Sequence, residues 1–192
     1  MNNVKRLAVY CGSAPGSDPM FADATRATAS AMVGRGVDLV YGGGRLGLMG
    51  LIADSVLGLG GKVYGVIPAA LVDLEVAHTG VTELFHVENM HERKAKMTDL
   101  ADAFVALPGG IGTLDELFEA WSWNALGYHA KPFCLLNVGG FWDGLIEFMD
   151  HATKSGFLSA SRRQQLLVAA TPEEALVLLD EAAGRATQGM VW

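Results

Sequence analysis

The sequence predicts a single-domain, Rossmann-like α/β fold, a doubly wound parallel sheet with helices on both faces. Three observations carry this reading. Short β-branched runs alternate with longer helical stretches, the pattern of βαβ units. Glycine-bearing turns follow strands at "YCGSAPGSD" (10–18), "YGGGRLGLMG" (41–50) and "LPGGIGT" (107–113). The 192 residues, 51% hydrophobic and 18% charged, are enough for one well-buried core.

Each element follows from its local pattern. "RLAVYCG" (6–12) reads as the first strand, followed by an amphipathic helix over 19–36. "VDLVYGG" (37–43) is the second strand, and a helix runs through 47–60. "KVYGVIP" (62–68) is the third strand, stopped by Pro68, and 69–80 is irregular. "TELFHV" (82–87) leads into the helix "NMHERKAKMTDLA" (89–101). The strands "AFVALP" (103–108) and "PFCLLNV" (132–138) each precede a helix, over 113–126 and 141–156. A short apolar run, "QLLVAA" (165–170), precedes a last helix with Thr171 as N-cap and Pro172 at its first position. Residues 1–184 are expected to form the domain and 185–192 a flexible tail.

Composition excludes several classes. The mean hydropathy is +0.27. Even so, charges or glycines break every apolar run short of the roughly 18 residues a spanning helix needs. No membrane partner is expected. The N-terminal apolar run leads directly into glycine and proline, so it reads as a strand and not a signal peptide, and a cytoplasmic protein is expected. Net charge is −7 with no block of Lys or Arg, which argues against a nucleic-acid partner. Cys11 and Cys134 lie in apolar, strand-like segments without Cys-x-x-Cys spacing, as buried thiols of a reducing compartment do. His78, His86, His91, His129 and His151 show no metal-ligand spacing, so no metal is expected.

In a parallel sheet the three glycine turns share one edge, where stripped backbone can face a single anion. This places Gly12, Ser13, Gly43 and Gly44 at a phosphate-binding rim, with the 107–113 turn beside them. Gly42, Gly44 and Gly47 match G-x-G-x-x-G, yet the third strand ends with no carboxylate before Asp73, and no G-K-[ST] follows any glycine cluster. A mononucleotide or sugar phosphate fits better than a dinucleotide or a Walker-type triphosphate.

On the helix over 89–101, Met90, Arg93, Lys94, Met97 and Ala101 share a face, while Glu92 and Lys96 have i, i+4 spacing for an ion pair. Arg93 and Lys94 thus sit in an apolar stripe, either snorkelling outward or pointing at the ligand beside the rim. Thr113 and Glu116 have capping-box spacing. A carboxylate there, facing an arginine, has the parts to stabilise the positive charge that builds on ribose as a base departs.

These residues carry a family resemblance. "PGGIGTLDE" (108–116) resembles the P-G-G-x-G-T-x-x-E signature of the Lonely Guy family, and "MHERKAKM" (90–97) its M-x-x-R-K companion. The similarity extends over about the first 160 residues. The resemblance implies a cytokinin riboside 5′-monophosphate phosphoribohydrolase, an N-glycosidase that releases free base and ribose 5-phosphate from a nucleoside 5′-monophosphate. It places the catalytic pair on Arg93 and Glu116. Nucleotide contacts fall on Glu75, Arg93, Lys94, Gly109, Gly110, Ile111, Gly112, Thr113, Leu114 and Asp115, with Ser122 where the family often has threonine. No cofactor is implied, and no pyridoxal phosphate signature supports the lysine decarboxylase label given to many relatives. Short members are homodimers, and "FEAWSWNAL" (118–126) could supply that surface or pack in the core. The alternative is a non-catalytic nucleotide or molybdenum-cofactor carrier, which has no chemical need for Arg93 together with Glu116.

Overall fold

Strands β1 (Arg6–Tyr10), β2 (Asp38–Tyr41), β3 (Val63–Pro68), β4 (Glu83–Val87), β5 (Ala103–Ala106), β6 (Phe133–Leu136) and β7 (Leu166–Ala169) form one sheet in the computed structural model, which describes residues 3–72 and 77–188. Their order is β4-β3-β2-β1-β5-β6-β7, and every pairing is parallel. The order reverses at β1, which lies between β2 and β5. Ligands of open α/β sheets bind beyond the carboxyl ends of the strands at such a switch point. The turns after β1 and β5 therefore meet where a ligand is expected.

The near-continuous apolar runs of β1, β2, β3, β5 and β6 follow from burial on both faces, whereas the edge strand β4 is half-exposed and carries Glu83 and His86. Leu7 and Val9 of β1, Leu39 and Tyr41 of β2, and Val105 of β5 face one layer. Helices α1 (Pro19–Gly34), α2 (Gly47–Gly58) and α7 (Pro172–Gln188) cover it with Met32, Ile52 and Leu179. Ala8, Tyr10, Val40, Phe104 and Phe133 face the other side. That side is covered by α3 (Met90–Leu100), α4 (Ile111–Ala125) and α5 (Asp143–Lys154), through Met97, Leu117, Trp121 and Met149. Trp121 belongs to this core, stacked on Phe118 and tilted against Phe133, while Trp123 lies at the boundary against Tyr128.

Two boundaries differ from expectation. A short helix, α6 (Ala160–Gln165), precedes β7; its six polar-rich residues are too few to show a hydrophobic period. Helix α7 runs on to Gln188, so residues 185–188 form its last turn and not a tail; 189–192 lie outside the described residues, as does Glu75. Among the described residues, no helix is long and apolar enough to cross a membrane.

His129 lies ahead of β6 with its ring against Phe104, centroids 5.4 Å apart, and its Nδ1 accepts the Lys131 backbone N–H at 3.2 Å. Burial, reinforced by the Lys131 charge, lowers its pKa from 6.5 to about 4. The unfolded chain then binds the extra proton first. Stability that His129 contributes above about pH 6.5 is lost as pH falls towards 4. In His129→Phe, the denaturant midpoint should fall less between pH 7 and pH 4.5 than in the unmodified protein; an identical fall would refute this role.

Candidate active site

The helices that follow the three glycine turns start in three different ways. Helix α1 is capped by Asp18, whose carboxylate accepts the Met20 N–H at 2.9 Å. No side chain caps α2; the Gly12 carbonyl takes the N–H groups of Leu48 (3.0 Å) and Met49 (3.3 Å) instead. Gly47, with φ +56°, lies so close to Ser13 that any Cβ would overlap the Ser13 carbonyl. The second glycine turn thus packs its helix start against the first turn.

Helix α4 is the exception. Gly110 occupies its N-cap position, no side chain caps it, and its first backbone bond runs from Leu114 N–H to the Gly110 carbonyl at 3.1 Å. The N–H groups of Ile111, Gly112 and Thr113 therefore stand at an open helix start, where the helix dipole favours an anion. They border a cavity of about 140 Å³ that Cys11, Gly12, Ser13, Arg93 and Glu116 also line. The expected Thr113–Glu116 capping box does not form. The helix begins two residues before Thr113, whose buried hydroxyl fills the space a Cβ on Gly109 would need. Glu116 is left facing the cavity.

Arg93 comes from the opposite wall. Asn89 caps α3 by accepting the Glu92 N–H at 3.0 Å, and Glu92 reaches back to the Glu88 N–H and the Asn89 amide. This engagement replaces the expected Glu92–Lys96 pair, and Lys96 sits over the Phe85 ring. One turn into α3, Arg93 is only 4% exposed. Its Nη2 donates to the Gly42 carbonyl at 2.9 Å and lies 4.0 Å from Glu116 Oε1, while Nη1 contacts Met90 Sδ. A Cβ on Gly42 would overlap Nη2, so this approach requires glycine.

The other expected site residues divide by position. Gly12, Ser13, Gly110, Ile111, Gly112 and Thr113 line the cavity, with Gly109 directly behind. Gly43 and Gly44 are buried in their turn, where the Gly43 carbonyl accepts the His78 N–H and Gly44 bridges to Ala77. Lys94 pairs with Asp115 and Glu119 of α4, which ties the two helices together beside Arg93 and Glu116. Burial opposes its charge, but the two carboxylates outweigh that and hold its pKa above the usual lysine value. Leu114 packs against the α3–α5 core, and Ser122 lies farther along α4 in an apolar groove with Phe118 and Trp121. The sequence reading missed Gly42 as the acceptor for Arg93. Locally, this residue carries no signal beyond its place in a glycine pattern.

Electrostatics narrow the chemistry. Burial, and then the nearby Glu116 charge, push the Cys11 thiol and the Tyr10 hydroxyl far above their ordinary pKa values. Neither is a nucleophile at neutral pH. Glu116 is the carboxylate that faces the cavity, beside a fixed cation. Among the described residues, no cluster of His, Cys, Asp and Glu could hold a metal ion. A larger cavity of about 740 Å³ opens at the opposite end of the fold, but its Lys131 already donates to the Thr98 carbonyl and its His129 is held neutral.

A parallel sheet with its switch point at β1, and an open helix start there, define a Rossmann-like α/β protein suited to a small anionic ligand. Residues 49–179 match the family model described as "Possible lysine decarboxylase". The cytokinin riboside 5′-monophosphate phosphoribohydrolase LOG of Oryza sativa subsp. japonica is 46% identical over 98% of this chain and 78% of its own length. An Arabidopsis thaliana relative, LOG2, with the same activity in its name is 45% identical over 92% of this chain and 83% of its own. This chain belongs to that family, the Lonely Guy phosphoribohydrolases. Among solved structures, the structural-genomics target TM1055 superposes with a TM-score of 0.71 at 26% identity, covering 92% of this chain and 99% of its own. The molybdenum cofactor carrier protein of Chlamydomonas reinhardtii reaches 0.69 at 16% identity, over 93% and 98%, and shares the fold alone.

Two expectations follow from this geometry. Gly42→Ala should leave the far-UV spectrum native while a crystal structure shows the Arg93 guanidinium displaced from the residue 42 carbonyl. An unmoved guanidinium would show that the turn can yield. Cys134, pushed by burial up to about 12, and Cys11, pushed in the same direction, should resist a thiol reagent at pH 8 in the native protein. Both should react once denaturant is added.

Proposed function

We propose that this protein hydrolyses the N-glycosidic bond of N6-modified adenosine 5′-monophosphates, releasing the free base, a cytokinin or adenine, and ribose 5-phosphate. The observation that carries this reading is the Arg93–Glu116 pair beside the open start of α4. The substrate phosphate sits on the N–H groups of Ile111 to Thr113 and anchors the ribose. Glu116 then lies one helical turn inside, where the anomeric carbon of a nucleotide held by its phosphate would come.

As the C1′–N9 bond breaks, its electron pair leaves with the base and positive charge builds on the ribose ring. The Glu116 carboxylate stabilises that charge and orients a water, whose oxygen bonds to C1′. One proton of that water passes to the carboxylate and is returned to solvent; the departing base takes up a proton. Arg93 remains protonated throughout, since guanidinium does not ionise in proteins. Its role is to hold Glu116 and the substrate in register and to offset the negative charge of the departing base. Lys94, clamped by Asp115 and Glu119, keeps the two walls at working distance.

The active form is a homodimer. Phe118, Trp121, Ala125, Met149 and Leu158 line an apolar groove on α4 and α5, with Leu126, Phe148 and Phe157 exposed on the same elements or just beyond them. The two free, buried cysteines suit a cytoplasmic setting.

With isopentenyladenosine 5′-monophosphate or AMP as substrate, chromatography should detect free base and ribose 5-phosphate in equal amounts. Glu116→Ala should lower base release by about 10²-fold or more. Arg93→Lys, which keeps the charge but loses the planar fork, should lower it at least about tenfold. Base release at the wild-type rate from Glu116→Ala would overturn the reading.

A further inference from the structure

His78 has no part in the chemistry described above, yet it is 3% exposed and fully hydrogen-bonded. Its Nδ1 accepts the Gly80 N–H at 3.2 Å, which leaves the proton on Nε2 to be donated to Asp54 Oδ1 of α2 at 2.9 Å. Its backbone N–H donates to the Gly43 carbonyl at 2.9 Å, and the neighbouring Ala77 bridges to Gly44. The ring thus ties residues 77–80 to α2 through Asp54 and braces their own turn through Gly80, and Ala77 and His78 in turn hold the 42–44 turn. The adjoining carbonyl in that turn, on Gly42, is the one that receives Arg93 Nη2.

We infer that His78, locked by Asp54, is a positioning residue for Arg93, acting through the Gly42–Gly43 turn. The physical case rests on stiffness. Gly42 and Gly43 are the residues least able to hold their own conformation, since glycine has the widest backbone freedom. Gly43 has φ +78°. A carbonyl carried on two glycines aims a buried guanidinium well only if something external fixes it. Bonds from the ring to α2 and to its own turn supply that restraint. Misplacement of a positioned group by about 1 Å can lower turnover as much as 10²-fold.

The inference rests on the hydrolase reading for its kinetic readout, and it is tested first without that readout. In protein labelled with ¹⁵N-arginine, the Arg93 side-chain resonance, assigned by its loss in Arg93→Lys, should shift or broaden in Asp54→Ala. It should return to its original position in Asp54→Asn, which keeps the acceptor oxygen. Asp54 is 58% exposed at its side chain, so neither change should threaten folding. His78→Gln, retaining a donor near Nε2, should lie between the unmodified protein and His78→Leu.

In the hydrolase assay, Asp54→Ala should lower kcat about three- to tenfold with KM within about twofold, and Asp54→Asn should restore it. A purely structural role would lower Tm but leave kcat per folded molecule and the Arg93 resonance unchanged, which would overturn the inference. Absence of base release from the wild-type protein would overturn the hydrolase reading instead, and the arginine spectrum would still decide the role of His78.

Discussion

The arrangement at the site depends on one buried cation. A guanidinium at 4% exposure is stable only where protein groups replace its lost water. The Gly42 carbonyl and the Glu116 carboxylate stand in for that water from two different parts of the chain. Removing either would leave a charge in a low-dielectric setting, so the surroundings of Arg93 are tightly constrained. Gly42 must lack a side chain, α3 is capped at Asn89 with Arg93 one turn in, and α4 must lie close enough to offer Glu116.

The helix pair that satisfies these demands is braced at both ends. Near the cavity, Lys94 joins α3 to Asp115 and Glu119 of α4. At the far end, Lys131 donates to the Thr98 carbonyl near the end of α3, while the Asn124 amide of α4 donates to the Lys131 carbonyl. Between them, Met97, Leu117 and Trp121 pack against the sheet. Rigidity of this kind suits a site whose function is to hold fixed charges in place as new charge develops.

The glycine turns show how a shared motif type can serve unlike ends. Two of the three helix starts are satisfied by the protein itself, one by Asp18 and one by the Gly12 carbonyl. Only the start of α4 is left open, since glycine occupies its cap and no side chain reaches it. A rim of three equivalent turns would spread the positive potential of the amides. One open start, with the others closed around it, concentrates that potential at a single point beside Glu116.

Much of this was legible in the chain. Alternating apolar runs and turn residues determined the βαβ alternation and a parallel sheet, because strand and helix signals are local and a strand buried on both faces reads as a continuous apolar run. Arg93 announced itself as a charge in an apolar stripe, and the paired glycines Gly109 and Gly110 before α4 marked a close approach of backbone. What the sequence could not determine were choices between partners distant along the chain. The acceptor for Arg93 lies 51 residues away. Even a near choice was settled by the backbone: α4 starts at Ile111, so the Thr113 hydroxyl fills the space beside Gly109 instead of capping the helix. Lys94 could snorkel outward or face a ligand on local grounds; the approach of α4 gives it Asp115 and Glu119 as partners. Local pattern states which groups need partners; only the packed fold, which sets distances between remote segments, states which partners they receive.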